Sequence, residues 1–305
     1  MKLATTTDDF KGYSKNHCDM VKYANAAGFK YLDLGLYDTD IPGSPFMADN
    51  WREYVRDIKE CAERVGAKFV QAHSPGSRGN VLIKNEHYDL FVESTARSIE
   101  ICGMLGIKNT VIHTGFLEGV GKDEYFEKNA AFIKQFIPLL EKHGVTICVE
   151  NSTKVNMGTK YFFLEGCEMK EFIEYCGHPL IGACWDTGHA NLEGHQYKDI
   201  TDLGAHLKAL HIHDTTNYDS HSLPFTGTMN LAEVIHALMD SGYDGYFTFE
   251  ACCAMTNPVN NPGYRKVFAG DDRLYIPPLE LRIEMEKLLY KIGEFALRTY
   301  GIFEE

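Results

Sequence analysis

The sequence predicts a single (β/α)8 barrel that spans residues 1–305. Short apolar runs rich in β-branched and aromatic residues alternate with longer stretches of helical spacing, eight times along the chain. Several helical stretches end in a Gly directly before the next apolar run, as in Val65-Gly66 and His143-Gly144. No Gly-rich phosphate-binding fingerprint follows the first strand, which disfavours an open dinucleotide-binding sheet. Eight such units in about 300 residues suit a closed barrel.

The apolar runs and the periodic stretches set the expected elements. Strands are predicted at residues 2–6, 30–36, 68–73, 109–113, 145–150, 181–186, 207–213 and 245–250. Helices are predicted at residues 17–27, 50–65, 86–105, 122–143, 168–176, 196–206, 230–241 and 278–300.

Four connections that follow strands are long, namely residues 37–49, 151–166, 214–229 and 251–277. Loops longer than about 12 residues in compact domains are usually either functional or disordered. All four lie on the face where barrel enzymes carry their active sites. The last loop is rich in Asn, Pro and aromatic residues, and we expect it to cover a pocket.

Composition narrows the classes of partner. The formal net charge is -13, which disfavours nucleic acid and anionic membranes because both are bound mainly by Lys and Arg. No apolar stretch approaches the roughly 18 residues of a membrane helix, and Met1–Thr7 lacks the apolar run of a signal peptide. We therefore expect a cytoplasmic protein whose partner is a small molecule rather than a nucleic acid or a membrane.

The chain has nine cysteines and no Cys-x-x-Cys pair, so a thiolate zinc site is not expected. Five of them stand among apolar neighbours in predicted helices or strands. We interpret these five as small core hydrophobes of a protein in a reducing compartment: Cys61, Cys102, Cys148, Cys184 and Cys252.

Ionisable residues end the last four strands. Glu150 ends strand five, Asp186 ends strand six, His211 and His213 end strand seven, and Glu250 ends strand eight. A barrel brings these strand ends onto one ring, where unpaired carboxylates repel and are costly to bury. A divalent cation offsets both the repulsion between the carboxylates and the cost of burying them. A shell of two Glu, one Asp and one His suits Mn²⁺, with Co²⁺, Mg²⁺ and Zn²⁺ as alternatives.

Several motifs at these strand ends resemble those of the xylose isomerase-like barrel superfamily. They are Val149-Glu150-Asn151, Asp186-Thr187-Gly188-His189, His211-Ile212-His213-Asp214 and Phe249-Glu250. That superfamily includes sugar phosphate isomerases/epimerases, ketose 3-epimerases, inosose dehydratases and zinc-type AP endonucleases. The likeness runs from about strand two to strand eight.

The resemblance implies a metal shell of Glu150, Asp186, His211 and Glu250. His211 is preferred to His213 because the ligand of the family usually stands three residues before an acid, here Asp214. The chain departs from the ketose 3-epimerases at Asn217, where those enzymes typically carry an Arg six residues after this His. This departure disfavours a simple ketose 3-epimerase.

The function implied is a metal-dependent sugar or sugar phosphate isomerase/epimerase that abstracts a proton beside a carbonyl and forms an enediolate. Glu150 and Glu250 are the acid/base candidates, and His189 would stabilise the developing oxyanion. The other residues expected to bind substrate are His73, His113, His213, His221 and Trp185.

Three alternatives remain open. An inosose-dehydratase-like or other carbon-oxygen lyase would use the same metal and base. A zinc-dependent AP endonuclease-like phosphodiesterase would hold three metals, with His73, His113, Asp219 and His221 as extra ligands. A non-catalytic sugar-binding subunit would keep only the pocket. A homo-oligomer is compatible with each alternative.

Overall fold

The strands form one parallel barrel. The computed structural model of the protein describes residues 1–154, 162–193, 195–252, 255 and 277–305. Eight strands follow the chain in order: β1 (Lys2–Thr6), β2 (Tyr31–Gly35), β3 (Lys68–His73), β4 (Asn109–His113), β5 (Thr146–Glu150), β6 (Ile181–Asp186), β7 (Leu207–His211) and β8 (Tyr246–Phe249). Each of the eight predicted strands is confirmed to within two residues at either end.

Hydrogen bonds close the sheet at two places. β1 pairs in parallel with β8 through Thr5 and Phe249. Ile212, directly after β7, bridges to β8: its N–H donates to Thr248 O at 2.8 Å and its carbonyl accepts from Glu250 N at 3.1 Å. The barrel prediction is therefore confirmed, with a junction between β7 and β8 that is shorter than the others.

Helices surround the strands. They are α1 (His17–Ala26), α2 (Trp51–Val65), α3 (Tyr88–Leu105), α4 (Lys122–Lys134), α5 (Ile137–His143), α6 (Gly166–Cys176), α7 (Thr187–Glu193), α8 (Tyr197–Leu203), α9 (Leu231–Asp240) and α10 (Leu279–Thr299). Left-handed glycines end α2 and α5, at Gly66 and Gly144, as the sequence predicts.

Two helix predictions need correction. The single helix predicted at 122–143 is two helices, because Pro138 has no N–H to continue the ladder and stands in the first turn of α5. The sequence pattern also missed α7, which begins directly after Asp186 at the end of β6. This short helix carries His189 toward the barrel axis.

Two of the long loops lie partly outside the described residues. Residues 155–161 of the loop after β5 are outside them, as are 253–254 and 256–276 of the loop after β8. The expectation that the last loop covers a pocket therefore falls outside the part of the chain that the structure describes. No helix within the described ranges is both long and apolar enough to cross a membrane.

The interpretation of Cys61 as a free core cysteine is wrong, because it forms a disulfide with Cys18. The bond joins the neighbouring helices α1 and α2, whose Cα atoms at these positions are 5.6 Å apart. Cys102, Cys148 and Cys184 are free and buried, as expected. Cys252 is half-buried.

A buried ionic cluster fastens α10 to β1. The guanidinium of Arg282 lies 3.1 Å from the Glu286 carboxylate and 3.3 Å from that of Asp9. All three side chains are fully buried. Thr5 Oγ1 lies 2.7 Å from Glu286 Oε1 and 3.0 Å from Asp9 Oδ2. One hydroxyl has only one hydrogen, so Thr5 can donate fully to only one of the two carboxyls.

Candidate metal centre

Strand register brings the predicted residues together at the carboxyl end of the barrel. His113 of β4 is the register partner of Glu150 on β5, and Asp186 of β6 is the partner of His211 on β7. Gly35 of β2 is the partner of His73 on β3. Register partners on neighbouring parallel strands point to the same face of the sheet, here the barrel interior, and this creates a dense polar cluster.

The two predicted acid/base carboxylates meet at His211. The Nδ1 atom of His211 lies 2.8 Å from Glu150 Oε1 and 3.4 Å from Glu250 Oε2. Glu150 and His211 are buried, whereas the Glu250 side chain keeps 16% of its surface exposed. Glu150 comes from β5 and Glu250 follows β8, so the carboxylates approach this ring nitrogen from different sides of the barrel.

Two further histidines face the second oxygen of Glu150. The Nε2 atoms of His73 and His113 each lie 3.5 Å from Glu150 Oε2. The ring of His73 also stacks on that of His211, with centroids 5.5 Å apart and planes 7° from parallel. The ring of Tyr37 meets His73 edge-on at 5.2 Å and covers this side of the cluster.

The electrostatics of this cluster follow from burial and from the close charges. Burial favours the neutral form of Glu150, but His211 and His113 together with the hydrogen bond from His211 hold its pKa well below the ordinary value. Burial opposes the charged form of His211, yet neighbouring anionic groups raise its pKa well above the ordinary value. Burial lowers the pKa of His113 to about 4.

Asp186 lies beside the Glu150–His211–Glu250 group and contacts His213 and His189. Its Oδ2 is 2.9 Å from His213 Nε2, and its Oδ1 accepts from the backbone N–H of His189 at 2.7 Å. Gly188 makes this approach possible, because a Cβ there would stand 1.9 Å from the His213 ring. Asn151 fixes the backbone of β6, accepting from Asp186 N at 2.6 Å and donating to Asp186 O at 2.9 Å.

His189 links Asp186 to the loop after β7. Its Nδ1 lies 3.0 Å from Asn151 O, and its Nε2 lies 3.1 Å from Asp219 Oδ2. Both ring nitrogens thus face acceptors. Although burial disfavours the charge, Asp186 and Asp219 raise the pKa of His189 to about 10. In the absence of a metal ion on Asp186 or Asp219, this pKa keeps the ring of His189 positively charged at neutral pH.

His221 completes the cluster on the Glu250 side. Its Nε2 lies 3.3 Å from Asp219 Oδ1 and its Nδ1 lies 3.6 Å from Glu250 Oε2. The ring stacks on His213, with centroids 4.0 Å apart. His221 adopts a positive φ of 40°, a conformation that is uncommon outside glycine and often marks a functional position.

All of the predicted site residues except one reach this cluster. Trp185 is the exception, because side chains alternate along a strand and Asp186 takes the inward position. Trp185 is fully buried, and its indole N–H donates to Gln196 Oε1 at 3.1 Å. Its role is therefore packing behind β6 rather than contact with a substrate.

Two acids at the site were missed by the sequence interpretation. Asp33 of β2 is buried, and its Oδ2 lies 3.2 Å from His211 Nε2 and 2.8 Å from Gln71 Nε2. Asp8 follows β1, and its carboxylate lies against Gly35. The available signals were a lone Asp inside the apolar run Leu32-Asp33-Leu34 and an acid directly after the first strand.

The donor atoms fit a divalent cation. Glu150 Oε2 and His113 Nδ1 are buried without a hydrogen-bond partner among the described residues, and a buried carboxylate oxygen of this kind is costly unless a cation or donor meets it. Several trios each place three potential ligand atoms within 4.8 Å of one another. They include His73–His113–Glu150, His73–His211–Glu250 and His189–Asp219–His221.

The fold and the site together define a class of protein: a parallel barrel that carries a ring of carboxylates and imidazoles at its carboxyl end. The family model described as "Xylose isomerase-like TIM barrel" matches residues 21–266. The chain therefore belongs to the xylose isomerase-like TIM barrel family.

The individual proteins that resemble this chain share little sequence identity with it. The chain is 26% identical over 204 residues to an uncharacterized protein of Methanocaldococcus jannaschii, which covers 64% of this chain and 68% of that protein. Two solved structures share the fold: D-allulose 3-epimerase from Methylomonas sp. (TM-score 0.75, 17% identity, 97% of this chain and 98% of that chain) and D-psicose 3-epimerase from Clostridium cellulolyticum H10 (TM-score 0.72, 16% identity, 97% and 99%).

Proposed function

We propose that the protein is a metal-dependent isomerase or epimerase that acts on a sugar or a polyol-derived ketone. The observation that carries this proposal is the approach of Glu150 and Glu250 to the same ring nitrogen of His211, at 2.8 and 3.4 Å. A reaction that removes a proton beside a carbonyl and returns it elsewhere needs two such groups on different sides of the substrate. The sugar epimerases among the solved structures with this fold support the proposal.

Glu150, Asp186, His211 and Glu250 would hold the metal, for which we propose Mn²⁺ because the set combines carboxylate oxygens with one imidazole. The bound cation would supply Lewis-acid polarisation of a substrate carbonyl. Asp33 holds the imidazole of His211 in place through its 3.2 Å contact with Nε2. The burial of Glu150 and His211 keeps water away from the reacting groups.

The carboxylates carry the proton chemistry. One of Glu150 and Glu250 takes the proton from the carbon beside the carbonyl, which gives the enediolate. The other returns a proton to the enediolate, which gives the isomeric product. His189 would stabilise negative charge on oxygen, because it lies directly beside Asp186, whose Oδ1 accepts from the backbone N–H of His189 at 2.7 Å. His73, His113, His213 and His221 line the remaining sides of the site and would contact substrate hydroxyls.

The proposal is tested by proton exchange with the solvent. The protein is loaded with Mn²⁺ and incubated in D2O with a panel of ketoses, aldoses and inososes, and the products are examined by NMR and mass spectrometry. We expect an isomerised product that carries deuterium on the carbon beside the carbonyl. A product that has lost water would indicate the lyase alternative. No exchange into any member of the panel would refute the proposal.

A phosphodiesterase is the second candidate, and the ligand trios favour it. The trios His73–His113–Glu150 and His189–Asp219–His221 would add two cations to the one proposed at Glu150, His211 and Glu250, which makes three in all. Incubation of the zinc-loaded protein with a duplex that contains an abasic site tests this candidate. Strand cleavage that disappears on chelation would support it, and an intact duplex would exclude it.

A further inference from the structure

A second polar feature lies beside the metal centre. A cavity of about 280 Å³ opens between the end of β1 and the loop after β2. This volume is close to the lower limit of small-molecule pockets, roughly 300 Å³. Its lining combines charged and apolar side chains, among them Asp8, Lys11, His17, Leu36, Asp38 and Phe46.

Asp8 connects this cavity with the metal centre. A Cβ at Gly35 would stand 2.1 Å from Asp8 Oδ1, so the carboxylate rests directly on the Gly35 backbone. Gly35 is the register partner of His73, and Thr5 on the strand before Asp8 is the partner of Phe249 on the strand before Glu250. Asp8 consequently stands between the strand ends that carry His73 and Glu250, at the boundary between the two regions.

The Asp8 carboxylate is available to a ligand. Among the described residues, none donates a hydrogen bond to it, although it lines the cavity and is largely covered. Substrate hydroxyl groups are donors of the kind that such a carboxylate accepts. The apolar side chains of Leu36 and Phe46 offer a surface for the C–H faces of a carbon chain.

The other charged groups of the cavity do not favour an anion. Lys11 is the only cation among the described lining residues, and it forms an ion pair with Asp38. Asp38 also accepts a hydrogen bond from Ser77 Oγ at 2.5 Å, which fixes the pair. Burial lowers the pKa of His17 to about 4, so this imidazole is neutral at pH 7. Two carboxylates therefore face one ammonium group.

We propose that this cavity binds the hydroxyl-bearing end of the substrate beyond the metal centre, with Asp8 as the hydroxyl acceptor, and that it selects an uncharged chain over one that ends in phosphate. The inference rests on the proposed function, because it assigns the substrate class of the same site. A terminal phosphate would meet the Asp8 carboxylate at close range, and like charges in a covered cavity repel strongly. Asp8 is thus a specificity-determining residue.

The experiment compares matched probes on the Mn²⁺-loaded full chain. The probes are D-fructose with D-fructose 6-phosphate, and D-xylulose with D-xylulose 5-phosphate. Binding is measured by titration calorimetry and turnover by chromatography, for the wild type, Asp8→Asn and the control Asp57→Asn. Asp57 is an exposed carboxylate on α2, away from the lining residues.

We expect the wild type to bind the uncharged member of each pair at least about tenfold more tightly than its phosphate. Asp8→Asn should raise KM and Kd for the uncharged sugars about tenfold, leave kcat within about twofold, and reduce the discrimination against phosphate. Asp57→Asn should match the wild type. Preference of the wild type for the phosphates, or unchanged binding in Asp8→Asn, would overturn the inference.

The two proposals fail in different ways. If no ketose is turned over but Asp8→Asn still weakens the binding of uncharged sugars, the isomerase proposal fails and the assignment of the cavity stands. If phosphorylated ketoses alone are bound and isomerised, the isomerase proposal stands and the assignment of the cavity is wrong. If no uncharged sugar binds to the wild type at millimolar concentration, the assignment of the cavity is also wrong.

Discussion

The Nε2 atom of His211 lies 3.2 Å from Oδ2 of the buried Asp33. This contact fixes the ring so that the opposite nitrogen, Nδ1, faces Glu150 and Glu250. A carboxylate behind a metal-binding histidine sets its tautomer and orientation and increases its basicity. We therefore expect Asp33 to act as a positioning residue for the proposed metal centre.

Replacement of Asp33 should weaken metal binding. We expect Asp33→Ala to lower the affinity for Mn²⁺ roughly 10- to 100-fold, the usual effect of removing such a partner. Asp33→Asn keeps an acceptor for the His211 N–H and should recover part of the loss. Competition with a fluorescent chelator measures the affinity, and circular dichroism checks the fold. Wild-type affinity in Asp33→Ala would show that the contact has no positioning role.

Amide replacements at the two central carboxylates should separate catalysis from folding. Glu150→Gln and Glu250→Gln keep the side-chain volume but remove the base, so turnover should fall at least about 100-fold in each. Glu127→Gln, at an exposed position on α4, is the matched control and should keep full activity. Full activity in either site variant with an intact thermal transition would contradict the assignment of the acid/base pair.

The buried cluster of Asp9, Arg282 and Glu286 gives a pH-dependent stability. Burial and the charge of Glu286 raise the pKa of Asp9 well above its ordinary value of 3.8. The folded protein then holds a proton that the unfolded chain releases, so stability falls as pH rises from about 3.8 toward the folded pKa. Asp9→Asn removes this loss.

The free energy of unfolding of Asp9→Asn minus that of the wild type should therefore grow with pH. Between about pH 4 and about pH 8 we expect a growth of about 1 kcal/mol or more, since one pKa unit corresponds to about 1.4 kcal/mol. Urea unfolding at several pH values measures it, with Asp57→Asn as a control whose difference stays flat. A difference that shrinks as pH rises would place the proton elsewhere.

The disulfide between Cys18 and Cys61 should stabilise the packing of α1 against α2. Cys18→Ser is expected to lower the free energy of unfolding by about 2–4 kcal/mol, the usual contribution of such a bond. A reductant should produce the same loss in the wild type and none in the variant. Peptide mapping without reduction should recover the cross-linked pair. If only separate thiol peptides are found, the bond does not form in the purified protein.

Sequence periodicity predicted the barrel well because each strand is a short apolar run bounded by turns. It could not anticipate α7, whose residues Thr187–Glu193 are few and lack an apolar period, nor the break near Pro138. The Cys18–Cys61 pair was missed because spacing along the chain does not reveal which helix faces meet.

The candidate site was predictable where a polar residue ends an apolar strand, as Glu150 and Asp186 do. Asp33 was missed because it lies inside a strand, two residues before the end of β2, and its importance depends on the ring of His211 across the barrel. The prediction that Trp185 binds substrate was based on its position directly before Asp186 in the sequence. It overlooked that successive side chains of a strand point to opposite faces. In both cases the residue type was evident from the sequence, but the direction in which the side chain points was not.

The central claim is that Glu150, Asp186, His211 and Glu250 hold one divalent cation. Its most direct test is the metal content of the purified protein, measured by mass spectrometry before and after chelation and again in Glu150→Gln. We predict about one Mn²⁺, Co²⁺, Mg²⁺ or Zn²⁺ per chain, lost on chelation and strongly reduced in the variant. About three zinc ions per chain would favour the phosphodiesterase, and a chain that retains no divalent metal and binds none on titration would contradict the claim.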